Sequence, residues 1–422
     1  MAPVALLISI YFPPEPGGGA KAAWNRAIIL HKMGYSVFAL CGFPSYPLGK
    51  VTDSIYKRKF FYVEKMGDIT LVRLRLLPLA SKGYLRRFIL FINFVSLSLI
   101  WMPKILRICT RIELIYAITP TVFSSMIGYI YSIPTKSFFI YEASDLWPEE
   151  LLAFKINFSF IVMYFGKLLA KLSYSLPNML VATSELAAKY IATNYNPKVM
   201  IYTMPIGVEP DKQPTRSKET SREELIEKQI IPSLLKNKFI VLYAGVISKV
   251  TRVENLVYAA DKLKDDEKNI VFLIIGEGDE KANLEKIKSN SNLSNLLILP
   301  FQHTSLVPSM ISAADVCVVS LPSDPIYDVT VSTKFFEYLS YHKPQIGICK
   351  GELANIINSN EIGRTVTDGQ IDKLVDAILF MKYSPTIIDS MEKNAITLLH
   401  EFSLDTLASK FSIVLKKEWA GN

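Results

Sequence analysis

Four short segments place glycines, cations and carboxylates where a chain could handle a phosphorylated ligand. In FPPEPGGGA, Gly17, Gly18 and Gly19 follow a run of prolines. Without a Cβ the backbone can approach a ligand closely and leave the N–H groups of a following helix free for phosphate. The competing reading is an ordinary tight loop, and the G-x-G-x-x-G dinucleotide spacing is absent. In DLWPE, Asp145 follows an apolar run, where a carboxylate could bind hydroxyls or steer charge in a transition state. It could equally cap a helix with Pro148 at its first position. YAGVISKVTR offers Lys249 and Arg252 as clamps for a diphosphate. VTVSTKFFEY sets Ser332, Thr333 and Lys334 at a helix start, with Glu337 one turn in, where a carboxylate can accept both hydroxyls of a ribose. For Glu337 the plain alternative is a capping arrangement.

The elements that must hold these segments are short apolar runs alternating with helical stretches, the pattern of parallel sheets covered by helices. VALLISIYF, YSVFALCGF, LIYAIT, SFFIYEAS and NMLVATS read as strands of a first doubly wound unit. AAWNRAIILHKMG reads as a helix ending at Gly34. FIVLYAGVI, NIVFLIIGEGD, LLILPF, VCVVSLP and QIGIC read as strands of a second unit. The polar stretch 211–228 reads as the connection. At 422 residues two domains are expected: residues 1–208; residues 209–400; and 401–422, a helix with Leu404, Leu407, Phe411 and Leu415 on one face that packs back on the body.

The formal charge of +8 is uneven: residues 57–111 hold 12 basic and 2 acidic side chains. Within this stretch lies the uncharged run 88–102, too short to span a bilayer comfortably, where about 20 residues are needed. It reads as a buried helix, as a true transmembrane span, or as a helix that beds on a membrane surface, with Arg86, Arg87, Phe88, Phe91, Trp101, Lys104 and Arg107 facing the lipid. The helix expected over 158–175 lacks a polar face, which implies burial or a second membrane contact. Nucleic acid is not implied, because the basic residues interleave with aliphatics and no recognised motif occurs. The four cysteines, Cys41, Cys109, Cys317 and Cys349, lie far apart with no CxxC pair. That suits a reducing compartment and argues against structural zinc. The start of the chain lacks a basic n-region and reads as a first strand, so a cytoplasmic protein, peripheral on the inner face of the cell membrane, is expected.

Taken together, FPPEPGGGA, GFPSYPLGK, DLWPE, MPIGV, YAGVIS, IGEGDE, AADVCVVSLP and STKFFEYLSYHKPQI make the chain resemble the retaining GT-B glycosyltransferases of family 4, particularly those building surface polysaccharides and lipid-linked glycans. The resemblance implies two Rossmann-like domains facing a cleft and transfer of a sugar from a UDP- or GDP-sugar to a lipid-linked or glycan acceptor, with no metal and no cofactor. It places Gly17–Gly19 by the donor phosphate and transferred sugar, Lys249 and Arg252 on the diphosphate, and Gly276, Glu277 and Gly278 near the base. It gives the Ser332–Lys334 turn backbone donors and puts Glu337 on the ribose. Where relatives carry a catalytic histidine this chain has Glu142 and Asp145, so these two, with Lys249, are the catalytic candidates. The pattern departs at Val329, where many members have a second glutamate, and at Ile206-Gly207, usually Asn-Gly. These departures keep two further readings open: a catalytically silent subunit that binds glycan or partners an active transferase, and a sugar-nucleotide epimerase.

Overall fold

The computed structural model describes residues 2–421 apart from 16, 46–48, 52, 80–83, 121, 150–159 and 210–216. The chain divides into two compact units, Met1–Gly207 with Leu404–Asn422, and Val208–Ser403.

The first unit is built on β1 (Val4–Ile8), β2 (Ser36–Gly42), β3 (Phe61–Met66), β4 (Ile69–Leu74), β5 (Ile112–Ile118), β6 (Phe138–Ala143), β7 (Met179–Ala182) and β8 (Met200–Thr203). They form one sheet in the order β3-β4-β2-β1-β5-β6-β7-β8. Every neighbouring pair is parallel except β3 with β4. Strands such as VALLI are apolar at every position because both faces are covered, as parallel sheets require. The covering helices are α1 (Gly18–Lys32), α2 (Tyr84–Ile100), α3 (Met102–Ile108), α4 (Phe123–Thr135), α5 (Phe160–Ser175) and α6 (Glu185–Tyr195). α1 buries Ala20, Ala23 and Ala27, whose small side chains let it lie close to the sheet, and Gly34 turns the chain away with φ +95.

The second unit contains α7 (Lys218–Glu227), β9 (Phe239–Ala244), α8 (Glu254–Leu263), β10 (Ile270–Ile275), α9 (Lys281–Asn290), β11 (Leu296–Leu299), α10 (Val307–Ala313) and β12 (Val316–Ser320). It continues through α11 (Thr333–Leu339), β13 (Gln345–Ile348), α12 (Gly351–Ser359), β14 (Gly363–Val366), α13 (Ile371–Tyr383) and α14 (Pro385–Glu401). Its sheet has the order β11-β10-β9-β12-β13-β14, parallel throughout. The last helix, α15 (Leu404–Gly421), returns to the first unit. There Phe411 meets Tyr202 and Tyr116, Trp419 stacks on Phe138 at 5.1 Å, and Leu404, Leu407 and Leu415 join the core.

Several elements differ from the sequence reading. β3 and β4 form a hairpin inside the basic stretch, where alternating charges hid the strand pattern. β8 and β14 are short and only partly apolar. The stretch read as the connection contains α7, whose Arg222 reaches the Asp315 carboxylate at 2.7 Å and so belongs to the second unit. Residues 210–216 of that stretch lie outside the described residues. Among the described residues no helix is long and apolar enough to cross a membrane; α2 and α3 meet at a bend of 62°.

Candidate functional site

Doubly wound sheets bind ligands beyond the strand C-termini, at the point where strand order reverses. In the first unit that point falls between β1 and β5, and in the second between β9 and β12. The glycine-rich segment 17–19 follows β1, the segment with Lys249 follows β9, and the segment with Ser332 and Glu337 follows β12. Three of the four candidate segments therefore sit at switch points, and the fourth, with Asp145, follows β6.

Gly17 precedes α1 with φ +117, a conformation that excludes most side chains, and makes no side-chain cap. Gly18 and Gly19 open a first turn without an acidic residue, so its N–H groups keep their partial positive charge. The loop before them is held from behind. Arg73 on β4 is fully buried and donates to the Pro13 carbonyl at 2.5 Å, the Gly42 carbonyl at 3.1 Å and the Glu64 carboxylate at 2.5 Å. The Glu15 carboxylate accepts from the Ser45 N–H at 2.8 Å.

Glu142 and Asp145 are three residues apart and differ completely. Glu142 on β6 is fully buried. Its Oε2 accepts from Arg26 Nε and Tyr116 Oη, both at 2.6 Å. Its Oε1 accepts from Arg26 at 3.1 Å and Ser144 Oγ at 2.9 Å. Four hydrogen bonds thus engage both oxygens of this catalytic candidate, which the fold ties to Arg26, Tyr116 and Ser144. Arg26 also donates to the carbonyls of Met204 and Pro205, each at 2.8 Å, while Asn25 binds those of Ile206 and Gly207. These two side chains of α1 fix the strand exit at 204–207, where Gly207 has φ +78. No feature of the sequence marked Arg26. Asp145 is partly exposed, its N–H bound to the Thr119 hydroxyl. Burial of the carboxyl, then the charge of Glu142, lifts its pKa to about 6, so it can exchange a proton near neutrality.

In the second unit glycines allow two loops to interlock. A Cβ on Gly276 would lie 1.8 Å from the Gly245 carbonyl oxygen, and one on Gly278 1.8 Å from that of Ile247. Backbone bonds from Ile247 to Glu277 and from Gly245 to Ile275 complete the strap. Gly276 and Gly278 thus have a packing role of their own. Glu277 is exposed and pairs with Lys281 at 2.7 Å. The side chain of Lys334 crosses over Gly245, where any Cβ would strike its Cε, and its ammonium sits 5.4 Å from the Tyr243 ring centroid. Ser332 caps α11 by accepting from the Lys334 N–H at 3.3 Å, with Thr333 as the first helical residue. Tyr338 locks α11 to the end of β9, accepting from the Ala244 N–H at 2.9 Å. Glu337, its neighbour, is partly exposed.

The two cations after β9 also part company. Arg252 pairs with Asp368 at 2.9 Å and Glu254 at 2.8 Å, so its charge is already matched by two carboxylates. Lys249 is exposed and, like Lys334, makes no ion pair among the described residues. A cavity of about 390 Å³ lies further along the sheet, beyond β13 and β14, lined by Lys350, Gly351, Thr365, Thr367 and Lys373. It contains none of the candidate residues. Among the described residues no group of three or more His, Cys, Asp or Glu could hold a metal ion.

Of the residues read as membrane-facing, Arg86, Arg87, Phe88, Lys104 and Arg107 are exposed. Phe91 and Trp101 are half-buried, and Trp101 leans on Phe61 at 5.0 Å with the Lys104 ammonium over both rings. That packing turns Trp101 partly away from the outer surface.

Residues 225–397 match the family model described as Glycosyl transferases group 1. A segment of 79 residues is 37% identical to a putative colanic acid biosynthesis glycosyl transferase, WcaI, of Escherichia coli (strain K12), covering 19% of each chain. A segment of 162 residues is 27% identical to alpha-D-kanosaminyltransferase of Streptomyces kanamyceticus, covering 38% of this chain and 41% of that protein. The matches thus span about a fifth and two fifths of these curated relatives. Among solved structures, sucrose-phosphate synthase from Thermosynechococcus elongatus superposes with TM-score 0.75 at 16% identity over 100% of both chains. HepE from Anabaena, in complex with UDP and glucose, gives 0.69 at 16% identity over 98% of this chain and 99% of that one. An E. coli protein titled trehalose-6-phosphate, bound with UDP-2-fluoro glucose, gives 0.69 at 12% identity over 98% of each. These likenesses show the fold, the two-domain GT-B architecture, and the match to the glycosyl transferases group 1 model falls within the second unit.

Proposed function

We propose that this chain is a glycosyltransferase that moves a sugar from a UDP- or GDP-sugar to a lipid-linked or polysaccharide acceptor, with retention at the anomeric carbon, in the manner of family 4. The observation that carries the reading is the pair Lys249 and Lys334. Both lie at the β9/β12 switch point, in a domain of glycosyltransferase type, without a carboxylate partner among the described residues. Two ammonium groups there suit a diphosphate, whose negative charge grows as the sugar leaves. The bond from the anomeric carbon to the diphosphate oxygen breaks, and a bond from that carbon to the acceptor oxygen forms. The acceptor's proton passes to the leaving phosphate. Lysine charge serves here in place of a metal. The Ser332–Lys334 turn supplies backbone donors, and Glu337 accepts the ribose hydroxyls. Gly276–Gly278 border the base, and in the first unit the start of α1 at Gly17–Gly19 keeps N–H groups open to phosphate. Asp145, with its raised pKa, is the carboxyl group of the first unit that binds hydroxyls. Arg252 serves as a loop anchor through Asp368. UDP with glucose in the HepE structure supports a nucleotide-sugar donor, and the colanic acid relative supports a polysaccharide product. The proposed location is cytoplasmic.

Incubation with a panel of UDP- and GDP-sugars and membrane extract, reading free nucleotide diphosphate, tests this. The expected result is release with one donor class, lost in Glu337→Ala and Lys334→Ala. No turnover with any donor contradicts it. Val329, at the position where many members carry a glutamate, favours one rival, the silent subunit. That reading prevails if Glu337→Ala leaves glycan synthesis in cells intact while deletion of the chain abolishes it.

A further inference from the structure

The cavity beyond β13 and β14 holds none of the residues assigned to the donor. Its volume of about 390 Å³ lies within the roughly 300–1,000 Å³ of small-molecule sites. It is set where the loops after β13 and β14 pass into α12 and α13. Lys350 comes from the first loop and Lys373 from the first turn of α13, while Thr365, Thr367 and Gln370 add two hydroxyls and an amide. Among the described residues Lys373 makes no ion pair, the Thr367 and Gln370 side chains make no hydrogen bond, and the lining includes no Asp or Glu. Neighbouring carboxylates are engaged elsewhere: Asp372 pairs with Lys262, and Asp368 with Arg252 at 2.9 Å. Asp328 shares charge with Lys350, and its carboxyl is not part of the lining.

Two walls of this cavity are tied to loops of the candidate donor site. Gly351, with φ +62, lies against the Asp328 carbonyl oxygen, which a Cβ would approach to 1.9 Å. The same carbonyl accepts from the Glu352 N–H at 2.7 Å. Asp328 leads through Val329 into the Ser332 turn. The second wall, 365–370, is held by the loop after β9. Asp368 accepts from Arg252 at 2.9 Å and from Asn255 at 2.8 Å, and the Gly369 N–H donates to Asn255 Oδ1 at 3.1 Å. Lys249 belongs to that same loop. We propose that the cavity binds a small phosphate-bearing anion that acts as an effector of the donor site. Two ammonium groups in a lining without carboxylates favour a doubly charged phosphate over a neutral sugar, and the hydroxyls and amide add hydrogen bonds to it. A ligand that draws the two walls together moves the supports of both donor loops. The effect on donor affinity rests on the proposed function; binding in the cavity does not.

The test is titration calorimetry of the full chain with inorganic phosphate, ribose 5-phosphate and ribose. The phosphate compounds are expected to bind, more weakly at high salt, and ribose not to bind. Two variants separate charge from space: Lys350→Ala with Lys373→Ala removes the cations, and Ala354→Leu fills the cavity. Each should lower ribose 5-phosphate affinity about 10-fold or more, while the Lys249→Ala, Lys334→Ala variant should bind it as the wild type does. No binding of either phosphate compound overturns the proposal, as does equal binding of ribose. Binding lost with Lys249 and Lys334 but kept without Lys350 and Lys373 would put the anion in the donor site and also overturn it. Saturating ribose 5-phosphate should change the affinity for UDP or GDP by about 5-fold or more, with the reciprocal change for ribose 5-phosphate. Unchanged nucleotide affinity overturns the effector role. If neither nucleotide binds, the donor reading fails, and the anion titrations still decide the cavity.

Discussion

The two units use positive charge in opposite ways. In the first, Arg26 and Arg73 are fully buried, and their guanidinium groups are consumed by carboxylates and carbonyls that fix loops. In the second, Lys249 and Lys334 stand at the sheet's switch point with no carboxylate on them among the described residues. Arg73 braces the loop after β1 and Arg26 the exit from the edge strand β8, whereas the two lysines follow the central strands β9 and β12 with their charge unmatched by a carboxylate among the described residues. The excess of basic residues lies in the first unit, at 57–111, while the two lysines suited to the nucleotide lie in the second.

The largest effect should come from breaking the buried pair. Arg26→Met leaves Glu142 charged and dry, and should cost about 3–5 kcal/mol in denaturant unfolding. A cost under about 1 kcal/mol would mean that the pair does not hold the 204–207 exit. Next comes the glycine strap. Gly276→Ala drives a methyl into the Gly245 carbonyl, and overpacking of that kind costs about 1–3 kcal/mol by thermal or chemical melting. It should weaken nucleotide binding as well, because the loop bearing Lys249 must shift.

The third effect is smaller and depends on pH. Asp145 holds its proton more tightly when folded, with a pKa of about 6 against an unfolded value near 3.9. Its favourable contribution is complete below the unfolded value and is lost as pH rises through about 6. Asp145→Asn should therefore gain on the wild type between those limits, by about 1–2 kcal/mol once solvent screening of a partly exposed group is allowed for. Melting curves across that window check the sign; a gain that appears only below pH 4 contradicts it.

The strand–helix alternation was legible because parallel strands buried on both faces are apolar runs, as in VALLI and IVFLII. The β3–β4 hairpin was not, because the charged positions Glu64 and Lys65 of its edge strand interrupt that run. Segment positions at strand ends were readable for the same reason as the strands. What each side chain faces was not. Glu142 and Asp145 share a chemical type and a segment, and only the fold brings Arg26, distant by 116 positions, onto the first of them. Arg252 and Lys249 look alike in sequence, and the difference between them is Asp368, again 116 positions away from the arginine.

The central claim is that Lys249 and Lys334 form a nucleotide-diphosphate site. Titration calorimetry of UDP and GDP against the wild type and the Lys249→Ala, Lys334→Ala double variant tests it most directly. The prediction is binding of one of the two nucleotides by the wild type and a loss of about 10- to 100-fold in the variant, the worth of charge-assisted hydrogen bonds, with the thermal midpoint of the unliganded protein unchanged. Equal affinity in both proteins, or no binding of either nucleotide, would contradict it.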